Sequence, residues 1–354
     1  MLPLRAIGLA CLMIGSVIGG AAAAPLDAVA VLEPWLLPRY DALVGTTAQQ
    51  ERDWRAFCAA PQAEQVDRLR ADFRAVADSW TQVSFISFGP AGTGLRYDRF
   101  NFYPDRRQAV ARAMADVLDG REDDRLSPGR FTRQSVAVQG LPAMERLLFE
   151  ADASTALTSG VGAERRCALG LAIALNLATI AGDTRAGWGD DTRGLLADLR
   201  RRDGPPVELA TGERLLSAML TDLASAYQAV ADLNLLAVLG RSMDEVRPLA
   251  GEGRLSGREA DIVRLQLGSA NALARQLAEP LPDPAKAIVL QALAGAQQAA
   301  DDLPTDLGAA AADPRRRPQL EAAVAAFKIA QRALVDPLAI RLGVPLGFNA
   351  LDGD

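Results

Sequence analysis

Val66, Leu69, Phe73, Val76, Trp80 and Val83 recur at steps of three and four residues through an otherwise polar segment. That spacing lines one stripe of an α-helix, and no stretch of useful length alternates with the period of a strand. A chain patterned in this way can bury its apolar side chains only by packing helices together. The expected fold class is therefore all-α, in two helical-bundle domains. Trp80 belongs to the buried stripe.

Gly, Pro and capping residues divide the rest into helices. Pro34 and Pro38 crowd the first, expected over residues 35–59, and Pro61 opens the second. A Gly-rich loop, 89–94, follows no strand and lacks a phosphate-binding Lys. Asp105 is placed to cap a helix through Leu118. Ser127-Pro128 opens the helix that leads to Gly140. Residues 151–162 read as a small-residue loop, 163–180 as a long apolar helix and 182–194 as turns. Asp203-Gly204-Pro205-Pro206 is the best boundary, giving bundles at 25–203 and 204–354. In the second, Thr211 caps a helix to Leu239, and Ser256 with Glu259 reads as a capping box for a helix to Ala278. Asp283 and Pro284 start the next, which reaches Ala300. The last runs over 319–334 and on past Pro337.

Residues 1–24 read as a secretory signal. Arg5 supplies the positive charge, 7–18 the apolar core and Ala21 to Ala24 the small cleavage positions. The core is too short for a membrane span, and Gly8 stands where a lipobox before Cys11 requires Leu. The mature chain is expected in the periplasm or cell envelope, without a membrane span. Losing the signal removes Arg5 and no acid, which moves the net charge from -6 to -7. An acidic chain of this kind is a poor partner for nucleic acid. Only Lys286 and Lys328 interrupt an otherwise all-Arg set of cations.

The chain has no His. That removes Ser-His-Asp and Cys-His catalysis and His-ligated zinc, leaving carboxylates, Arg, amides, Tyr and backbone groups for any site. Two cysteines remain in the mature chain, Cys58 and Cys167, and in an oxidising compartment an even pair reads as a disulfide. Asn176, inside an apolar helix, needs a buried partner.

The stretch Ser135–Glu150 holds the sharpest joint. Gly140 reads as the stop of one helix and Pro142 as the first residue of the next, with Glu145 in the first turn where the helix dipole favours a carboxylate. Arg96, Arg99, Arg106 and Arg107 interleave with Tyr97, Phe100, Phe102 and Tyr103. Such a cluster either pins its loop through acid pairs or binds an anionic ligand.

Three stretches together resemble the imelysin-like family of bacterial envelope proteins, over residues 30–345. The family carries a Gly-x-His-x-x-Glu motif; here Gly140 and Glu145 match, and Pro142 replaces the His. Residues 98–107 and the ending 346–354 are similar to the family in the same order. The resemblance implies an all-helical two-bundle fold and an association with iron, and the family's name implies a peptidase. Hydrolysis needs a metal-activated water or a nucleophile plus a base, and Pro142 supplies neither. A non-catalytic binding protein is therefore expected, ahead of a scaffold for a membrane partner and a metallopeptidase. Its cleft is expected where the Gly140–Glu145 joint meets Arg99, Asp105 and Arg106 and the tail residues Asn349, Asp352 and Asp354. Glu145 is the candidate metal ligand, and oxygen-only donors suit a hard ion such as iron.

Overall fold

The computed structural model describes residues 26–120, 123–190, 192–201 and 209–347. Residues 1–25, the stretch 202–208 with the boundary expected at Asp203 to Pro206, and residues from Phe348 lie outside the described residues. Within them every regular element is helical. In order these are α1 (Ala28–Ala59), α2 (Ala63–Thr81), α3 (Arg96–Phe100), α4 (Ala109–Asp119), α5 (Pro128–Phe131), α6 (Leu141–Phe149), α7 (Ala153–Thr158) and α8 (Ala163–Trp188). There follow α9 (Leu195–Arg201), α10 (Gly212–Ala229), α11 (Leu236–Leu239), α12 (Glu259–Ala278), α13 (Ala285–Asp301), α14 (Leu307–Ala312), α15 (Arg317–Ala333) and α16 (Ile340–Leu342).

Helix α1 starts earlier than expected and runs through both prolines. Asp27 caps it by accepting from the Val29 and Ala30 amides, each at 3.1 Å. Pro34 and Pro38 each delete an amide donor, but Leu32, Trp35 and Leu36 are buried, and that packing outweighs the lost bonds. Antiparallel to α1 lies α8. Cys58 near the end of α1 is bonded to Cys167 near the start of α8, with Cα atoms 5.7 Å apart. At the other end Asp41 pairs with Arg185 at 2.6 Å, and Tyr40 meets Trp188. A Cβ on Gly170 would fall 2.3 Å from the Trp54 ring, so Gly lets these two helices close. Long and apolar as α8 is, Leu169, Ile173, Leu177 and Trp188 are all buried in the protein interior. It also extends to Trp188, where turns were expected, because Ile180, Ala181 and Trp188 continue the buried face.

The α2 stripe is buried as expected, from Val66 through Val83. In the second half α10, α12, α13 and α15 pack on one another, while α1 also touches α10 and α12. Trp35 donates to the Ser269 carbonyl of α12 at 3.1 Å, and Ser269 donates to the Gln82 carbonyl at 2.6 Å, joining α1, α2 and α12. The buried apolar side chains of both halves form one continuous cluster.

Several local expectations change. The segment from Ser127 to Gly140 is not one helix; α5 is four residues long and a 3-10 turn, Val136–Val138, precedes Gly140. Residues 151–162 contain α7, held by buried Ala153 and Leu157. The helix begun at Thr211 reaches Leu239 through a π-helical stretch, Val230–Leu235. Pro284 is the cap of α13 rather than its first residue.

Candidate functional site

Gly140 is the extended residue that opens α6, not the end of a helix. A Cβ there would stand 2.3 Å from the Phe100 carbonyl oxygen and 2.7 Å from that of Arg99, so the backbone of α3 lies directly on it. Pro142 occupies the second helical position, where a missing N–H costs nothing. Glu145 therefore falls beyond the first turn, and the helix dipole does not account for it. Its Oε1 instead accepts from the Ser256 amide at 2.9 Å and the Ser256 hydroxyl at 2.5 Å. Burial raises the Glu145 carboxyl above its usual range, against the pull of both Ser256 bonds.

The capping box assigned to Ser256 and Glu259 does not form. Helix α12 starts at Glu259 with Arg258 as its cap, and Ser256 is turned toward Glu145. Glu259 is buried and pairs with Arg254 at 3.2 Å, which also holds Asp306 at 3.1 Å. Burial pushes the Glu259 carboxyl up to about 7.

Among the described residues Arg99 meets neither Glu145 nor another acid at hydrogen-bond distance. Its guanidinium donates to Gln139 Oε1 at 2.8 Å and Asn176 Oδ1 at 2.7 Å, while Asn176 Nδ2 donates to the Gln139 carbonyl at 3.0 Å. This closed set of amides supplies the partner that Asn176 requires and clamps α3 to the residue before Gly140. Asp105 is not the cap of α4, a place taken by Gln108; it precedes the 3-10 turn before that helix and accepts from the Val110 amide at 3.1 Å. Arg106 lies on that exposed turn, its amide donating to the Pro104 carbonyl. Asn349, Asp352 and Asp354 fall outside the described residues.

The 97–104 segment and α10 enclose a cavity of about 770 Å³. Tyr97, Asn101 and Tyr103 form one wall, and Asp222, Ala226 and Ala229 the facing one. Pro345 and Gly347 reach its edge, tied to α10 by bonds from the Ser217 hydroxyl to the Pro345 carbonyl (2.5 Å) and from the Gly347 amide to Thr221 (2.9 Å). Three acids line the space, exposed Glu213 at its edge and two that are more buried. Asp222 accepts from the Ser87 amide at 2.6 Å and its hydroxyl at 2.7 Å. Glu252 accepts from Asn101 at 2.6 Å and Asn234 at 3.3 Å. Burial raises both carboxyls, Asp222 to about 6, and Glu252 is pushed further by the charge of nearby Glu145. The Tyr103 hydroxyl shares its proton between the Leu233 and Ala250 carbonyls, at 2.8 and 3.0 Å. Leu233 and Asn234 belong to the π-helical stretch, whose widened turn presents both to the cavity. Glu145 and Pro142 line a small adjoining hollow that shares Thr81, Asn101, Glu252 and Ile262 with the large one.

Among the described residues no three acidic, Cys or His side chains gather on one point. Glu145 is committed to Ser256, and Pro142 has no donor atom.

Over residues 36–334 the chain matches the family model described as Imelysin. The chain belongs to the imelysin family. It is 28% identical over 120 residues to iron-regulated protein A of Synechococcus elongatus, a match covering 34% of this chain and 30% of that protein. The matched stretch thus spans less than a third of that relative. An imelysin-like protein from Psychrobacter arcticum superposes with a TM-score of 0.72 at 19% identity, over 91% of this chain and 97% of that one. A putative iron-regulated protein A precursor from Parabacteroides distasonis does so at 0.72 and 14%, over 89% and 95%. At these identities the likeness is one of fold. In this imelysin-family chain Gly140 and Glu145 have distinct structural tasks, the first admitting the α3 backbone and the second holding Ser256.

Sequence reasoning missed Asp222, Asn234 and Glu252. The first two are polar residues set at helical spacing among Leu215, Met219, Leu223 and Val230. Glu252 is an acid bracketed by Gly251 and Gly253. Asp222 and Asn234 were visible as polar interruptions of a pattern otherwise explained by burial.

Proposed function

We propose that this imelysin-family chain is an exported, non-catalytic binding protein of the cell envelope whose ligand occupies the 770 Å³ cavity. The carrying observation is the pairing of that cavity with a disarmed motif. The space is of the size that takes a small organic molecule, whereas Glu145 is held by two hydrogen bonds from Ser256 and Pro142 brings no side-chain base or ligand to it. The secretory signal at 1–24 and the word precursor in the name of the Parabacteroides protein support export. Two relatives are named iron-regulated protein A, and we extend an iron-responsive role to this chain on that basis. The division into two bundles near residues 203–204 belongs to the same reading, with the cavity between them.

Native mass spectrometry of protein purified from the periplasm tests this. The wild type is expected to lack residues 1–24 and to carry, or to acquire from periplasmic extract, a bound small molecule. Ala229→Trp, which fills the cavity, should abolish that added mass. A wild type that never acquires one, or metal-dependent cleavage of casein that Glu145→Ala removes, would overturn the proposal.

A further inference from the structure

Asp222 and Glu252 face the cavity with no cation against them. Among the described residues their hydrogen-bond donors are all neutral: the Ser87 amide and hydroxyl and the Phe88 amide for Asp222, and the side-chain amides of Asn101 and Asn234 for Glu252. Buried acids ordinarily gain an Arg or Lys partner, and this chain supplies Arg freely elsewhere, as at Glu259. Glu213 and Arg214, both exposed, stand at the rim. Between the two acids the walls are aromatic and aliphatic, with Phe85, Phe88, Tyr97 and Tyr103 beside Leu233 and Ile262.

Resting on the binding reading above, we propose that the cavity selects an organic ammonium ion, a cationic amine carried on an apolar body about the size of an aromatic ring system. An ammonium group would give the acids the charge-assisted partner they lack. Tyr and Phe faces favour the same cation through their ring quadrupoles. The apolar body would cover the aliphatic wall and exclude water. An anion is disfavoured because it would sit in a low-dielectric space beside two carboxylates. A bare metal ion is a poor match as well, since hard cations require several convergent oxygens and this space is far larger than one ion. The upward displacement of the Asp222 carboxyl, to about 6, fits a site kept without its counter-ion.

Isothermal titration of the full mature chain with three indoles matched in shape tests the charge preference: tryptamine, tryptophol and indole-3-acetate. Tryptamine should bind at least about tenfold more tightly than tryptophol, and indole-3-acetate should give no heat. In the isosteric variants Asp222→Asn and Glu252→Gln, checked for helix content by circular dichroism, tryptamine and tryptophol should come within about threefold of each other. The comparison of the three ligands on the wild type needs no variant to fold. Equal binding of tryptamine and tryptophol, preference for indole-3-acetate, no heat from any of the three, or folded variants that keep full selectivity would each overturn the inference. Preferential binding of the neutral or anionic indole, lost in Ala229→Trp, would do so while leaving the cavity's role as a ligand site intact.

Discussion

Ser256 donates twice to one carboxylate oxygen of Glu145, from a position 111 residues further along the chain. The contact ties α6, which carries the family motif, to the loop that leads into α12. Through it the acid organises the backbone at Ser256. Glu252 sits four residues before that serine, so the same loop presents an acid to the cavity. Glu145 thus positions the loop from behind.

Removing the Ser256 hydroxyl should leave a buried carboxylate short of one donor. Ser256→Ala is expected to cost about 1–3 kcal/mol, measured by urea unfolding at pH 7. Glu145→Gln should cost less, because an amide oxygen still accepts both bonds. The double variant should lose less than the sum of the two, and strict additivity would show that the pair is not coupled.

Gly140→Ala pushes a methyl group into the backbone of α3. With the Phe100 oxygen 2.3 Å from the new atom, relief requires moving α3 or α6, at a cost of about 3 kcal/mol. Thermal unfolding should show the loss, and an unchanged melting temperature would mean that the joint yields freely.

The Cys58–Cys167 bond closes a separation of 109 residues and holds one end of the α1–α8 pair. Chain-entropy estimates give about 5 kcal/mol for a loop of that length. The Cys58→Ser/Cys167→Ser variant should unfold at clearly lower urea, and the wild type should resist alkylation until reduced. Equal urea midpoints would place the helix pairing entirely in its side-chain packing.

Asp53 and Asp72 form an acid pair between α1 and α2. Burial pushes the Asp72 carboxyl up to about 7, helped by Asp53. Burial also acts on Asp53, but hydrogen bonds from Gln49, Asp72 and Arg68 win and hold it low. The folded state therefore keeps a proton at Asp72 that the unfolded chain, at its ordinary 3.8, releases. The stabilisation is complete below that value, declines as pH rises and is lost above about 7. Asp72→Asn should leave stability unchanged near pH 3.5. At pH 8 it should raise stability by on the order of 1 kcal/mol, after allowance for solvent screening at this partly exposed site. Parallel pH–stability curves for the two proteins would show that no proton is held there.

What the sequence determined by itself was local. The three- and four-residue spacing of Val66 to Val83 needs only helix geometry to bury one face, and the helix class follows from patterns of that kind along the chain. The parity of Cys58 and Cys167 pointed to their bond, and the want of His narrowed the chemistry before any fold was known. Tertiary structure decided where helices stop and what the polar residues do. Ser256 had the local form of a cap, but a buried carboxylate from α6 binds it more strongly than an amide already open to water. Pro34 and Pro38 should have delayed α1, yet burial of Trp35 and Leu36 outweighs the lost donors. Arg99 was read beside acids and found amides, because Gln139 and Asn176 are brought to it by segments 40 and 77 residues away. The cavity itself joins residues from 81 to 347, and no local pattern encodes a space whose walls are that far apart in the chain.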